Sequence, residues 1–145
     1  MTRPKASQDF AAGSGAVDAL LAALEHPNKE GIQLLRKAIL ELDARIREEV
    51  KWNAPSFALD DHFATFKLHP PGKIQLVLHT GAKPKAARRQ FALQGEQGLV
   101  KWAAPDRCVV NIGSTDAARD HSHVVVDLVG QWIRQLSDRP RPVAP

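Results

Sequence analysis

The apolar residues of this chain pass from a helical to a strand period at Lys51-Trp52-Asn53-Ala54-Pro55-Ser56-Phe57, and that change limits the folds open to it. Ahead of it, Ile32, Leu35, Ile39, Leu42, Ile46 and Val50 recur every three or four residues, the spacing of one helix face. Behind it, apolar and polar residues alternate, the spacing of half-buried strands. A chain that passes from helix to strands and returns to a helix reads as α+β. The expected architecture is an antiparallel sheet of about five strands with N- and C-terminal helices packed on one face.

Local signals divide the chain further. Ser14 suits the cap of a first helix over 14–24, which His26-Pro27 closes. Asn28 caps a second helix predicted over 29–51, with Glu30 in the first turn where the helix dipole favours an acid. Glu41, Arg45 and Glu49 follow at spacing four on its solvated face. Pro55 biases Ala54 to extended geometry, so a strand is predicted over 56–59, with Asp60-Asp61 as a turn. Residues 62–68 and 73–80 alternate on either side of His69-Pro70-Pro71-Gly72, the strongest turn signal in the chain. Residues 81–98 read as a loop holding at most one helical turn. Short strands follow at 99–102 and 107–112, with Asp116 and Asp120 as candidate caps for a closing helix over 121–136.

With 145 residues and 43% apolar content, one domain is expected over 14–138, between a mobile tail at 1–13 and a Pro-rich tail at 139–145. A single cysteine, Cys108, rules out an internal disulfide and suits a reducing compartment. No apolar run is long enough to span a bilayer, so the reading is a cytoplasmic protein without a membrane. The net charge of +4 permits an acidic partner without specifying one.

Three pieces of the sequence also occur together elsewhere. The pattern Lys51-Trp52, Pro55, Phe57 follows an amphipathic stretch; Val100-Lys101-Trp102 precedes Asp106-Arg107; and Gln131-Trp132-Ile133 lies in the closing helix. Together, over about residues 30–137, they resemble the YdhG-like family of small bacterial domains of unknown function. That resemblance implies a frataxin-like fold, and one relative's role as an iron chaperone implies ferrous iron as a ligand. Frataxins hold iron on an acidic ridge. In the matching stretch here, residues 29–51, Glu30, Glu41, Asp43, Glu48 and Glu49 are offset by Lys29, Arg36, Lys37, Arg45, Arg47 and Lys51.

The outward sheet face is the first candidate site. Alternation places Phe63, Thr65, Lys67, Gln75, Val77, His79, Arg107, Val109 and Asn111 there, with Trp52 and Trp102 flanking them. Tryptophan and arginine anchor interfaces, because each offers large area with a directed donor. The candidate binding surface is therefore Trp52, Asn53, Pro55, Phe57, Lys67, Gln75, His79, Lys101, Trp102 and Arg107, for a protein or a small anion. Asp60, Asp61 and His62 form the candidate metal site, since oxygen ligands with one imidazole suit iron or manganese. Against it, adjacent strand residues point in alternating directions, and a solvated turn is the plainer reading. Cys108 reads as a small core residue rather than a reactive thiol. Lys83, Lys85, Arg88 and Arg89 read as a solvated loop: no nucleic-acid motif accompanies them. No motif of a known hydrolase, metalloprotease or nucleotide-binding loop occurs. The preferred function is a non-catalytic binding module of frataxin-like form. The alternatives are an iron carrier for iron–sulfur cluster supply, and a small enzyme with a pocket around His79, Lys67 and Arg107. The exposed face could equally pair two copies, so the sequence leaves monomer or homodimer open.

Overall fold

The computed structural model describes residues 5–69, 71–81 and 90–137, with side chains from residue 13 onward within them. The order is α1 (Lys5–Ala23), α2 (Lys29–Leu40), β1 (Arg47–Lys51), β2 (Ala54–Ala58), β3 (His62–Lys67), β4 (Ile74–Leu78), β5 (Val100–Ala104), β6 (Arg107–Gly113) and α3 (Thr115–Ser137). The fold is α+β, as expected. The six strands form one antiparallel sheet in the order β1-β2-β3-β4-β6-β5, with the two N-terminal helices and the long α3 packed on it. No described helix is long and apolar enough to cross a membrane.

One face of the sheet and the helices bury the core. Phe57, Ala64, Phe66, Leu76, Leu78, Cys108 and Val110 meet Ile32, Leu35, Ile39, Val125, Leu128, Val129 and Trp132 there. Cys108 is wholly buried, and burial, with Glu96 adding to it, pushes its thiol pKa up to about 12. It is an inert core residue.

The helix-to-strand change falls earlier than predicted. Helix α2 ends at Leu40, and the chain turns through Glu41 to Ile46. The turn is closed by Leu42 N–H to Ile39 O (3.1 Å), by Ile46 N–H to Asp43 O (3.1 Å), and by Arg45, whose guanidinium grips Asp43 at 2.7 Å. Residues 47–51, predicted to be helix, are instead the edge strand β1, which is why the sheet has six strands rather than about five. The stretch 51–57 is consequently a hairpin. Lys51 pairs with Ala54, leaving Trp52 and Asn53 as a two-residue turn with φ of 52° and 57°. Two successive positive φ angles are the type I′ geometry that matches strand twist. Asparagine adopts it readily; a bulky tryptophan there is an outlier.

Helix α1 begins at Lys5, ahead of the predicted Ser14. Helix α3 begins at Thr115, ahead of the predicted His121. Its cap is Ser114, whose Oγ accepts the Ala117 amide at 3.1 Å, and not Asp116 or Asp120. Asn28 does not cap α2 with its side chain. Its Oδ1 instead accepts the Thr115 amide at 3.1 Å, while Thr115 Oγ1 accepts the Gly31 amide at 3.1 Å, so the first turns of α2 and α3 are bonded to each other. Arg36 on α2 ties three elements together, reaching Asp18 on α1 at 2.7 Å and gripping the buried Glu48 of β1 through two nitrogens. Both partners hold its guanidinium firmly in the charged form, Glu48 most strongly. The basic residues Lys83, Lys85, Arg88 and Arg89 lie outside the described residues, as do both chain ends.

The junction of α2 with α3 yields a stability test. A Cβ at Gly31 would stand 2.9 Å from the Thr115 Cα and 2.6 Å from the Ile74 Cδ1. Alanine would gain about 1 kcal/mol in helix propensity, but overpacking against backbone costs about 1–3 kcal/mol. Gly31→Ala is expected to lower the urea-unfolding stability or leave it flat, and an increase would show that α2 and α3 can separate freely.

Candidate functional site

The outer sheet face is built on one irregularity. Ser56 pairs with Thr65 and Phe57 with Ala64, but Ala58 pairs with His62. One step along β2 therefore spans two along β3, leaving Phe63 as an extra residue. Such a bulge breaks the alternation and re-aims side chains. Phe63, predicted to face outward with Thr65, is wholly buried and belongs to the core. His62 turns the other way, towards Ser56 and Glu49.

Across this face runs a chain of hydrogen bonds through four successive strands. His62 Nε2 meets Glu49 Oε1 of β1 at 3.3 Å. His62 Nδ1 lies 2.6 Å from the Ser56 Oγ of β2, which lies 2.7 Å from the Thr65 Oγ1 of β3. Thr65 Oγ1 lies 2.9 Å from the Nε2 of His79, at the end of β4, and the Gly81 amide donates to His79 Nδ1 at 3.0 Å.

The partners set the direction of the chain. An amide can only donate, so Nδ1 of His79 is bare and its proton sits on Nε2. That N–H donates to Thr65, Thr65 to Ser56, and Ser56 to His62 Nδ1. The remaining His62 proton, on Nε2, points at the Glu49 carboxylate. Every hydroxyl and ring nitrogen is thereby satisfied, as a buried polar network requires. Ser56 has a second acceptor within reach, the Ala64 carbonyl at 3.3 Å. By turning to it, Ser56 would let His62 Nδ1 take a proton opposite Glu49.

Both rings are held neutral. Burial, then the Arg107 charge and the repulsion that a protonated His62 would add, lowers the pKa of His79 from 6.5 to about 4, with Asp61 opposing. Burial, then Lys51, lowers that of His62, with Glu49 and Asp61 opposing. Glu49, His62 and Ser56 have the composition of a hydrolytic triad. Ser56 is 0% exposed, however, with its hydroxyl bonded on both sides.

Above this network lies a groove of about 530 Å³. Trp52, 60% exposed, reaches over it from the β1–β2 turn with its ring edge-on to His79 at 5.9 Å between centroids. Lys51 Nζ lies 5.7 Å from the Trp52 ring centre. Thr65 and Val77 lie along its floor, and Lys67 and Arg107 supply two cations. None of the described residues lining it is an acid. On the sheet, Val77 pairs with Val109 and Lys67 with Gln75, so Lys67 and Arg107 stand at opposite ends of the groove.

Of the residues proposed as a binding surface, Trp52, Asn53, Lys67, His79 and Arg107 come together here. The others do not. Pro55 is buried, and Phe57 lies in the core, edge-to-face with Phe66 at 6.0 Å. Gln75 is buried beside the groove and donates to Asn111 Oδ1 at 2.7 Å. Lys101 and Trp102 are on β5, at the far edge of the sheet. Trp102 pairs with the core residue Cys108 and sits 6.0 Å from Trp132 on α3, so it lies on the helix side and cannot flank a surface with Trp52. Sequence reasoning missed Glu49, Ser56 and Thr65 as a connected set, because a bulge decides which face His62 occupies.

Two of the proposed metal residues are engaged in hydrogen bonds. His62 has both ring nitrogens engaged, and Asp61 Oδ1 accepts the His62 amide at 2.8 Å. Asp60 lies in the turn before them. Among the described residues no three of His, Cys, Asp or Glu stand together as metal ligands would.

No protein-family model matches this chain, nor does any curated protein or any solved structure.

The pKa of His79 has a consequence for stability. The neutral ring is favoured by folding, so its contribution is complete above pH 6.5 and is lost as pH falls through that value towards about 4. Between pH 7.5 and 4.5 the loss is about 2–3 kcal/mol. Chemical denaturation of the wild type and of His79→Gln at both pH values should show a smaller fall in the variant by that amount. Equal falls would mean that His79 titrates normally in the folded protein.

Proposed function

We propose that this chain is a non-catalytic binding module whose outer sheet face holds a small organic anion. The observation that carries the reading is the groove: two cations, Lys67 and Arg107, no acid among its described lining residues, and an exposed tryptophan reaching over it. Its volume falls in the range of small-molecule sites, about 300–1,000 Å³. A cation at each end and Val77 on the floor suit a ligand with an anionic group and an apolar body. Trp52 contributes area at the rim.

Other features support a binding role over a catalytic one. His62 and His79 have each ring nitrogen committed to a partner, and Ser56 is buried. The sequence motifs and the order of helices, antiparallel strands and closing helix favour a YdhG-like, frataxin-like relationship. Iron carriage draws no support from the carboxylates near the acidic turn. Glu48 is occupied by Arg36, Asp43 by Arg45, and Asp61 by the His62 amide.

The test is calorimetric titration of the protein with sodium benzoate, a carboxylate on an apolar ring. Lys67 and Arg107 are exposed, so alanine at either position should leave the fold intact. Each variant is expected to weaken binding roughly fivefold to tenfold, the worth of a partly solvated charge-assisted contact. Absence of binding, or binding indifferent to both substitutions, would contradict the reading.

A further inference from the structure

We infer that the groove takes up its anion together with one proton, and that an oxygen of the anion lodges between the Gly81 amide and Nδ1 of His79. The inference rests on the anion-groove reading and specifies its chemistry: a carboxylate or phosphate-type oxyanion.

Gly81 N and His79 Nδ1 face each other at 3.0 Å, and both residues line the groove. Glycine is required at the first position. Its φ is 92°, and a Cβ would collide with the Asp61 carboxylate. The other ring nitrogen, Nε2, is anchored to Thr65, which is anchored in turn to Ser56. A further hairpin of constraint comes from the helix side, where Trp132 Nε1–H donates to the His79 carbonyl at 2.9 Å. His79 is thus held at its backbone and at Nε2, and Nδ1 is the one ring position at which it can gain a proton.

Protonation at Nδ1 ends the bond to Gly81, since two N–H groups then confront each other. The same event leaves two donors about 3.0 Å apart, on residues that both line the groove, which one anionic oxygen approaching from the groove can bridge. An anionic oxygen inserted between them satisfies both, with Arg107 providing charge from β6. The proton comes from buffer or water and forms an N–H bond on the ring; no other covalent bond forms or breaks. The groups that bear on the charge of His79 are Asp61 from the β2–β3 turn, His62 on β3 and Arg107 on β6. The Trp52 ring on the β1–β2 turn and Trp132 on α3 also pack against it and carry no charge. Without an anion, Arg107 and burial keep the ring neutral. With one in place, the anion's charge offsets both.

Binding that takes up one proton weakens towards tenfold for each pH unit above the pKa of the bound state. The experiment is titration of the full chain with sodium benzoate at pH 5.5 and 7.5, each in two buffers of different ionisation heat. Binding should be at least tenfold tighter at pH 5.5, the heats should differ between buffers in the sense of proton uptake, and the Gly81 amide resonance should move on binding. His79→Gln should lose the proton uptake and most of the pH dependence, whereas His69→Gln, at the other imidazole lining the groove, should keep both. Equal wild-type affinities with buffer-independent heats would overturn the inference while leaving the groove reading intact. Proton uptake that survives in His79→Gln would overturn it by placing the proton elsewhere. No benzoate binding at either pH would overturn both readings.

Discussion

The bulge between Phe57 and Ala58 on β2 and His62 and Ala64 on β3 determines what the outer face of the sheet can be. In a regular strand His62 would share a face with Ala64 and Phe66, which are core, and Phe63 would share the outer face with Thr65. One extra residue reverses both assignments. Phe63 joins the core and contributes a fully buried aromatic side chain, worth about 1.5–3 kcal/mol relative to exposure. His62 is released to the outer face, where Ser56 and Glu49 already share a rung. A hydrophobic gain on one side of the sheet and a polar network on the other thus come from a single change of register.

That network explains the character of the groove above it. A buried hydrogen-bonded chain is tolerated only when each member is satisfied, and here the Gly81 amide at one end and the Glu49 carboxylate at the other leave a single consistent direction. Among its described lining residues, Lys67 and Arg107 carry the groove's fixed charge. No acid lines it among the described residues, although the Asp61 carboxylate stands close behind Gly81 and acts on the charge of His79.

Much of the fold was legible because local pattern and tertiary burial agree. The period-2 alternation of β4 and β6 and the apolar stripe of α3 survive intact, with Leu76, Leu78, Val110, Leu128 and Trp132 all in the core. The start of the sheet was not legible, and the reason is specific. Leu42, Ile46 and Val50 prolong the spacing of Ile32, Leu35 and Ile39, so a turn and an edge strand carry the pattern of a continuing helix. Trp52 compounds the misreading, since a bulky residue at positive φ argues against the hairpin turn that it occupies. At the site, Lys67, His79 and Arg107 could be found from alternation, and Trp52 from the Lys51–Phe57 motif. Trp102 could not be placed, because the face presented by β5 depends on its pairing with β6 across the sheet. The bulge has no glycine or proline to announce it.

Nitrogen-detected NMR of the imidazole rings at neutral pH reads the direction of the hydrogen-bond chain. His62 and His79 are expected to be both neutral and both protonated at Nε2, with Nδ1 of each ring accepting. Finding His79 protonated at Nδ1, or either ring averaging rapidly between its two tautomers, would contradict that direction.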